Sequence, residues 1–210
     1  MNACRKMLTA GLESLHLSLD ETQIEQLLSF IKLIEKWNKT FNLTAIRRAE
    51  DMVNLHLLDS LALVPFIQGK RIIDIGTGAG LPGIPLAICL PEFEFTLLDS
   101  NAKKTRFVQQ VILELELKNV KVCHQRIEDY HPGFGFDTAL TRAFASLPET
   151  VKLARHVIAK TGILLAMKGQ KIEAELVEIP NKTVISIQVP GLDAERCLVC
   201  VEFLEHTEAK

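Results

Sequence analysis

Apolar residues recur at steps of three and four through the first third of the chain. Ile24, Leu27, Leu28, Ile31, Ile34 and Trp37 form one such stripe, which predicts an amphipathic helix. Ser18-x-x-Glu21 precedes it with the spacing of a capping box. A second stripe through Val53, Leu57, Leu58, Leu61 and Val64 predicts a helix that stops at Pro65, because proline has no amide hydrogen and its ring collides with the preceding turn. Residues 1–66 are therefore expected to form an N-terminal helical elaboration.

From residue 70 the period changes. Arg71–Ile75, Glu94–Leu98, Val120–His124, Phe136–Thr141 and Gly162–Met167 read as short apolar strands. Helices are expected between them over Leu81–Leu90, Asn101–Leu117 and Pro148–Ala159. This βαβα alternation implies an α/β fold: a mostly parallel, twisted sheet with helices on both faces, spanning 67–210 as one compact unit with the elaboration. Thr183–Val189 and Cys197–Phe203 lie too close for a helical crossover, so they are expected to close the sheet as an antiparallel pair.

Bulk properties narrow the class without choosing it. The 210 residues suit one domain plus an extension, and 48% hydrophobic beside 24% charged residues is ordinary globular composition. The longest uncharged stretch, Ile75 to Pro91, is broken by glycine and proline and is too short for a membrane helix. Arg5 and Lys6 precede an apolar stretch, but Glu13 interrupts it and no cleavage site follows, so a cytoplasmic protein is expected. Five cysteines without framework spacing agree with a reducing compartment. Cys197-x-x-Cys200 sits in a predicted strand and reads as packed strand cysteines, so no metal is expected there. A net charge of −2 argues against a generally basic nucleic-acid binder, although local basic runs remain: Arg47-Arg48, Lys103-Lys104-x-Arg106 and Lys168-x-x-Lys171.

The chemistry gathers at Asp74-Ile-Gly76-Thr-Gly78-Ala-Gly80-Leu-Pro-Gly83, between the first strand and its helix. Glycines there let a backbone turn approach a nucleotide. A phosphate-cradling P-loop would need Lys-Ser/Thr after its last glycine, and Ile84-Pro85 stands there instead. A dinucleotide fingerprint would need glycine where Leu81 stands, and Asp74 would repel a pyrophosphate. S-adenosylmethionine has no phosphate and carries an ammonium and a sulfonium, so an acid at the strand end favours it. Asp74, Gly76, Gly78 and Gly80 are thus candidates for holding this cofactor. Asp99, at the end of the second strand, is placed to accept both ribose hydroxyls, or else Asp99 or Ser100 caps the helix that follows. Arg126-Ile-Glu-Asp129 follows the third strand, with Ile127 and Glu128 candidates for the face and edge of an adenine.

The fourth strand ends in Thr141-Arg-Ala-Phe144, at the edge where open α/β sheets place their chemistry. The Asp/Asn-Pro-Pro-aromatic tetrapeptide that accompanies amino-group methylation is missing, and no catalytic cysteine is evident. A ring nitrogen with a free lone pair, such as guanine N7, needs neither, since its methylation rests on alignment and desolvation.

With these segments in view the sequence resembles the bacterial glucose-inhibited-division-B proteins, the ribosomal RNA small-subunit methyltransferase G family. The carrying motifs are Trp37-Asn-Lys-x-x-Asn-Leu-Thr44, His56-x-x-Asp59-Ser60, the loop from Asp74 to Gly83, Leu97-Leu-Asp-Ser100, Arg142-Ala-Phe-Ala145 and Lys168-Gly169. The resemblance implies a Rossmann-like class I S-adenosylmethionine-dependent methyltransferase that acts on guanine N7 in the decoding-region loop of 16S ribosomal RNA. Its partner would be that RNA within the small subunit or an assembly intermediate. It further implies that Gly76, Leu81, Ile127, Glu128 and Arg142 contact the cofactor.

Trp37 continues the apolar stripe of its helix and is read as core. His56 and Asp59 share a helical face, which suits a structural hydrogen bond as well as a proton-transfer role. Arg142 is placed to orient a cofactor carboxylate or RNA, or to pair with a neighbouring acid. Two rival functions keep the same fold: a nicotinamide-dependent oxidoreductase, disfavoured by Asp74 and Leu81, and a noncatalytic ribosome-assembly factor, which only turnover separates.

Overall fold

A computed structural model describes residues 1–169, 173–177, 179–193 and 196–203. Its centre is a seven-stranded sheet: β1 (Arg71–Ile75), β2 (Glu94–Asp99), β3 (Val120–His124), β4 (Phe136–Arg142), β5 (Ile158–Lys168), β6 (Lys182–Ile187) and β7 (Arg196–Glu202). The order is β3-β2-β1-β4-β5-β7-β6. The first five strands run parallel, while β7 pairs antiparallel with both β5 and β6. The expected closing pair is present, with β7 inserted between β5 and β6. From β1 the chain winds outward through β2 and β3, then returns to β4 on the other side of β1. That reversal opens a crevice beyond the carboxyl ends of β1 and β4, the position at which open α/β sheets bind ligands.

The strands are continuous apolar runs because both faces are covered. One face carries α5 (Gly83–Cys89) and α6 (Ala102–Glu114), joined by the N-terminal helices α1 (Asn2–Ser14) and α2 (Glu21–Phe41) in one core cluster. Phe30 of α2 stacks on Phe107 of α6 with ring centroids 6.5 Å apart, and Trp37 packs at 5.7 Å from the same ring. Burying each such side chain stabilises the fold by roughly 1.5–3 kcal/mol. The opposite face is covered by α7 (Leu147–Ala154) through Leu147 and Ala154, with Ile127 and Val157 beside them. No helix among the described residues is long and apolar enough to cross a membrane.

Several elements differ from the sequence reading. Helix α1 is an additional element, burying Cys4, Leu8, Gly11 and Leu12 on one face. The capping box of α2 is Asp20 with Gln23, two residues beyond the expected Ser18 and Glu21. Gln23 is fixed there by tertiary contact, since its side-chain amide donates to the Ile88 carbonyl of α5 at 2.8 Å. The second predicted helix runs through α3 (Ala49–Met52), a π-helical stretch Val53–Leu58 and α4 (Asp59–Leu61). It ends before Pro65, which instead enters a 3-10 turn, Val64–Phe66. Helix α5 starts at Gly83 because Leu81 is still in the loop, its N–H bonded to the Thr77 carbonyl. Helix α6 starts one residue after its cap, Asn101. Helix α7 stops at Ala154, followed by a 3-10 turn and then β5 from Ile158, because Ile158 pairs with Phe136 of β4. A last short helix, α8 (Glu173–Leu176), precedes β6.

Candidate active site

The glycine loop is held from below by Asp74. Its Oδ2 accepts from the Thr77 hydroxyl at 2.6 Å and from the Gly83 N–H at 2.9 Å, which closes the loop onto the start of α5. Asp74 is fully buried, and its Oδ1 has no hydrogen-bond partner among the described residues. Burial pushes its pKa up to about 6; the bonds from Thr77 and Gly83 and the charge of Arg142 limit the rise. The Gly76 and Thr77 N–H groups donate to the Leu98 carbonyl of β2, so the loop folds over the strand ends. Gly76, Gly78 and Gly80 all have positive φ, at 70°, 60° and 81°, which explains glycine at those three places.

Beside this loop lies a cleft of about 460 Å³, within the range of small-ligand sites. Gly76, Asp99, Ile127 and Glu128 line it, as the sequence reading expected of a shared site. Asp74, Gly78, Gly80, Leu81 and Arg142 are not among its lining residues. Asp74 lies under the loop, with its Oδ2 engaged by Thr77 and Gly83. Asp99 serves two tasks. Its Oδ2 accepts from the Gly78 N–H at 2.9 Å and its Oδ1 from the Asn101 N–H at 2.8 Å. The helix cap is Asn101, whose side chain accepts from the Lys103 and Lys104 N–H groups. Ile127, buried in a 3-10 turn, offers an apolar wall, and Glu128 stands exposed at its edge.

Sequence reasoning did not single out the other wall. Phe144, from the turn between β4 and α7, and Glu149, from the first turn of α7, line the same cleft. Lys104, of the basic run on α6, lines it too.

Arg142 is turned away from the cleft lining, toward the N-terminal helices. Its Nη1 donates to the Leu55 carbonyl in the π-helical stretch at 3.2 Å and to Asp59 Oδ2 at 3.3 Å. Asp59 is buried and accepts from Arg196 Nε of β7 through its other oxygen at 3.0 Å. Pairing with a neighbouring acid is thus the observed state of Arg142. His56 does not bond Asp59; its Nε2 lies 3.1 Å from the Thr44 hydroxyl and its Nδ1 3.0 Å from the Leu55 carbonyl. A carbonyl cannot donate, so Nδ1 carries the proton and Nε2 accepts from Thr44. Burial, followed by the Arg142 charge, lowers the His56 pKa to about 4. The Trp37-to-Thr44 motif has a structural role as well: Asn38 Nδ2 donates to the Thr44 and Ile46 carbonyls, and its Oδ1 accepts from the Thr44 N–H. Cys197 and Cys200 lie in β7, as expected of strand cysteines. Of the Lys168-x-x-Lys171 run, Lys168 bonds the Ala145 carbonyl and Glu175, and Lys171 lies outside the described residues.

The cleft fits an adenosyl cofactor on its own chemistry. A buried carboxylate at the end of β2 suits vicinal hydroxyls, an apolar turn suits a purine face, and a glycine backbone borders the space between. Strand order, loop and crevice together define a class I S-adenosylmethionine-dependent methyltransferase. Solved structures share this fold at low identity: a methyltransferase from Geobacter sulfurreducens at TM-score 0.60, 14% identical, covers 83% of this chain and 88% of that one. A precorrin-6y C5,15-methyltransferase from Geobacter metallireducens reaches 0.52 at 12% identity, covering 69% and 87%.

Sequence similarity goes further. The chain belongs to the rRNA small subunit methyltransferase G family, whose sequence model matches residues 23–197. It is 52% identical over 176 residues to the ribosomal RNA small subunit methyltransferase G of Legionella pneumophila subsp. pneumophila, covering 83% of this chain and 85% of that protein. The protein of the same name from Hydrogenovibrio crunogenus is 47% identical over 204 residues, covering 95% and 94%.

Proposed function

We propose that this protein transfers the methyl group of S-adenosylmethionine to N7 of a guanine in the decoding-region loop of 16S ribosomal RNA, in the cytoplasm. The observation that carries the reading is membership of the rRNA methyltransferase family across residues 23–197, with Gly76, Asp99 and Phe144 of three of its motifs lining one crevice. The cofactor supplies an electrophilic methyl group on a positively charged sulfur. Asp99 takes the ribose hydroxyls, Ile127 and Glu128 border the adenine, the Gly76 backbone borders the methionine portion, and Gly78 holds Asp99 in place through its N–H. Asp74, Gly80 and Leu81 act by shaping the loop, and Arg142 by anchoring the end of β4. Guanine N7 has a lone pair and no proton to lose, so the chain needs no general base there. Its task is to hold the two reactants in line and exclude water.

The substrate is the RNA within the small subunit or an assembly intermediate. A chain at net −2 has little nonspecific attraction for a short RNA and depends on a shaped target. The test is labelled methyl transfer to small subunits, free 16S RNA and short oligonucleotides, with borohydride and aniline cleavage to map 7-methylguanine. Cleavage at one guanine, fastest on structured ribonucleoprotein, is expected. Label that resists cleavage would refute the N7 assignment, and binding without turnover would favour an assembly factor.

A further inference from the structure

Phe144, in the turn between β4 and α7, and Glu149, at the start of α7, are two side chains that the cofactor assignments leave unused. Phe144 is 36% exposed and lines the cleft. Its ring is seated on the glycine loop: a Cβ built on Gly76 would stand 2.5 Å from Phe144 Cδ2. The ring is brought there by Ala143, which has φ of 52°, a left-handed conformation that alanine seldom adopts. The turn is pinned from behind. Lys168 Nζ donates to the Ala145 carbonyl at 3.2 Å, Glu175 accepts from the Leu147 N–H at 2.6 Å, and the two side chains pair at 2.9 Å. The aromatic surface is thus held in place before any ligand arrives. Glu149, in the first turn of α7, is exposed and lines the same cleft, and none of the described hydrogen bonds or ion pairs engages it.

Resting on the methyltransferase reading above, we propose that Phe144 is the stacking surface for the target guanine and that Glu149 reads its Watson–Crick edge. Enzymes that modify a base take it out of the stack, hold its face against aromatic side chains and bond its pairing edge. Guanine presents two adjacent donors on that edge, N1–H and the N2 amino group, and a carboxylate accepts both. Adenine, with an acceptor at N1, does not match it. Gripping that edge leaves N7, on the opposite side of the purine, free to react.

The charge movement favours the same two side chains. As the N7 lone pair attacks the methyl carbon, the N–C bond forms, the C–S bond breaks with its electron pair leaving on sulfur, and the positive charge passes to the purine. No proton moves. A π face and a carboxylate both stabilise a cation, so both contacts strengthen along the reaction.

Single-turnover methylation of small subunits by the cofactor-loaded enzyme tests this, alongside calorimetric cofactor affinity. Phe144→Leu keeps an apolar side chain and removes the π face; its methylation rate should fall roughly ten- to hundredfold, as loss of base–aromatic stacking predicts. Phe144→Tyr should recover most of the rate, and cofactor affinity should change little in either. Subunits carrying inosine at the mapped site lack the N2 donor, so the wild-type enzyme should prefer guanine and Glu149→Ala should lose that preference. Phe144→Leu as fast as wild type, or an undiminished guanine preference in Glu149→Ala, would overturn the assignment. Wild-type label at a base other than guanine would instead remove the underlying reading.

Discussion

The Asp99 carboxylate accepts the Gly78 N–H at 2.9 Å across the mouth of the crevice, so a cleft-lining acid also props the glycine turn. Its second oxygen holds the Asn101 N–H, the residue that caps α6. On the proposed reading, ligand binding and loop geometry share one side chain. Asp99→Ala should weaken cofactor binding by about 1–3 kcal/mol, the range for losing hydrogen bonds to a charged acceptor, and should also lower stability. Calorimetry paired with urea unfolding checks both. Full affinity in a destabilised variant would leave Asp99 a prop alone.

Asp74 and His56 shift in opposite senses, so their pH dependences oppose each other. The folded-state pKa of Asp74 is raised from 3.8 to about 6 by burial, hence the folded state holds this proton more tightly than the unfolded chain. Its contribution is fully present at low pH and is lost as pH rises through about 6. The His56 pKa is lowered from 6.5 to about 4, by burial and then by Arg142, so stability is lost as pH falls from 6.5 through about 4. Across this shared window the two partly cancel. Asp74→Asn should make stability rise more steeply from pH 4 to 6.5 than in wild type, and His56→Gln should make it rise less. Urea midpoints measured at several pH values read each slope, and slopes identical to wild type would contradict the two shifts.

Much of the fold follows from local pattern. Runs such as Ile72–Ile75 and Phe95–Leu98 are buried on both faces, and such strands read as apolar stretches without tertiary information. The glycine loop was legible because three positions need positive φ and because Asp74 and Asp99 sit at strand ends. Helix α1 was harder to see, since its stripe is short and completed by Gly11 against Leu58 of the π-helical stretch. The direction of Arg142 was not legible. It depends on Asp59 and Leu55, more than 80 residues earlier, and on a widened helical turn that brings them to β4. Phe144 was visible as a letter but not as a wall of the cleft, because its direction is set by the φ of Ala143 and by Lys168 and Glu175 behind the turn.

Asp59 joins three distant parts of the chain through Arg142 and Arg196, each about a quarter exposed. Asp59→Ala would leave both guanidinium groups without their shared acceptor beside a buried position. A loss of about 1–3 kcal/mol in unfolding free energy is expected, less than for a fully buried pair because solvent reaches both arginines. Asp59→Asn keeps an acceptor oxygen for one arginine and should lose less. Equal stability of all three proteins in urea would mean that the arginines find water at no cost.

Cofactor choice should follow the charge of the cleft. Asp99, Glu128 and Glu149 line it, opposed by Lys104 and Arg126, and Leu81 stands where a dinucleotide fingerprint has its third glycine. Leu81 is buried and its N–H is committed to the Thr77 carbonyl, so the turn does not offer that amide to a pyrophosphate. A phosphate about 8 Å from a carboxylate is repelled by about 2 kcal/mol at an effective dielectric near 20. S-adenosylmethionine has no phosphate, and its sulfonium is attracted by the same acids. Its demethylated product keeps the adenosine and amino-acid contacts and should also bind, while NAD should bind at least about thirtyfold more weakly than either. Lys104→Glu makes the lining more acidic and should widen the gap, and raised ionic strength should narrow it by screening. Calorimetric titration of the three ligands decides the matter: NAD binding as tightly as S-adenosylmethionine would show that loop shape and lining charge do not set the choice.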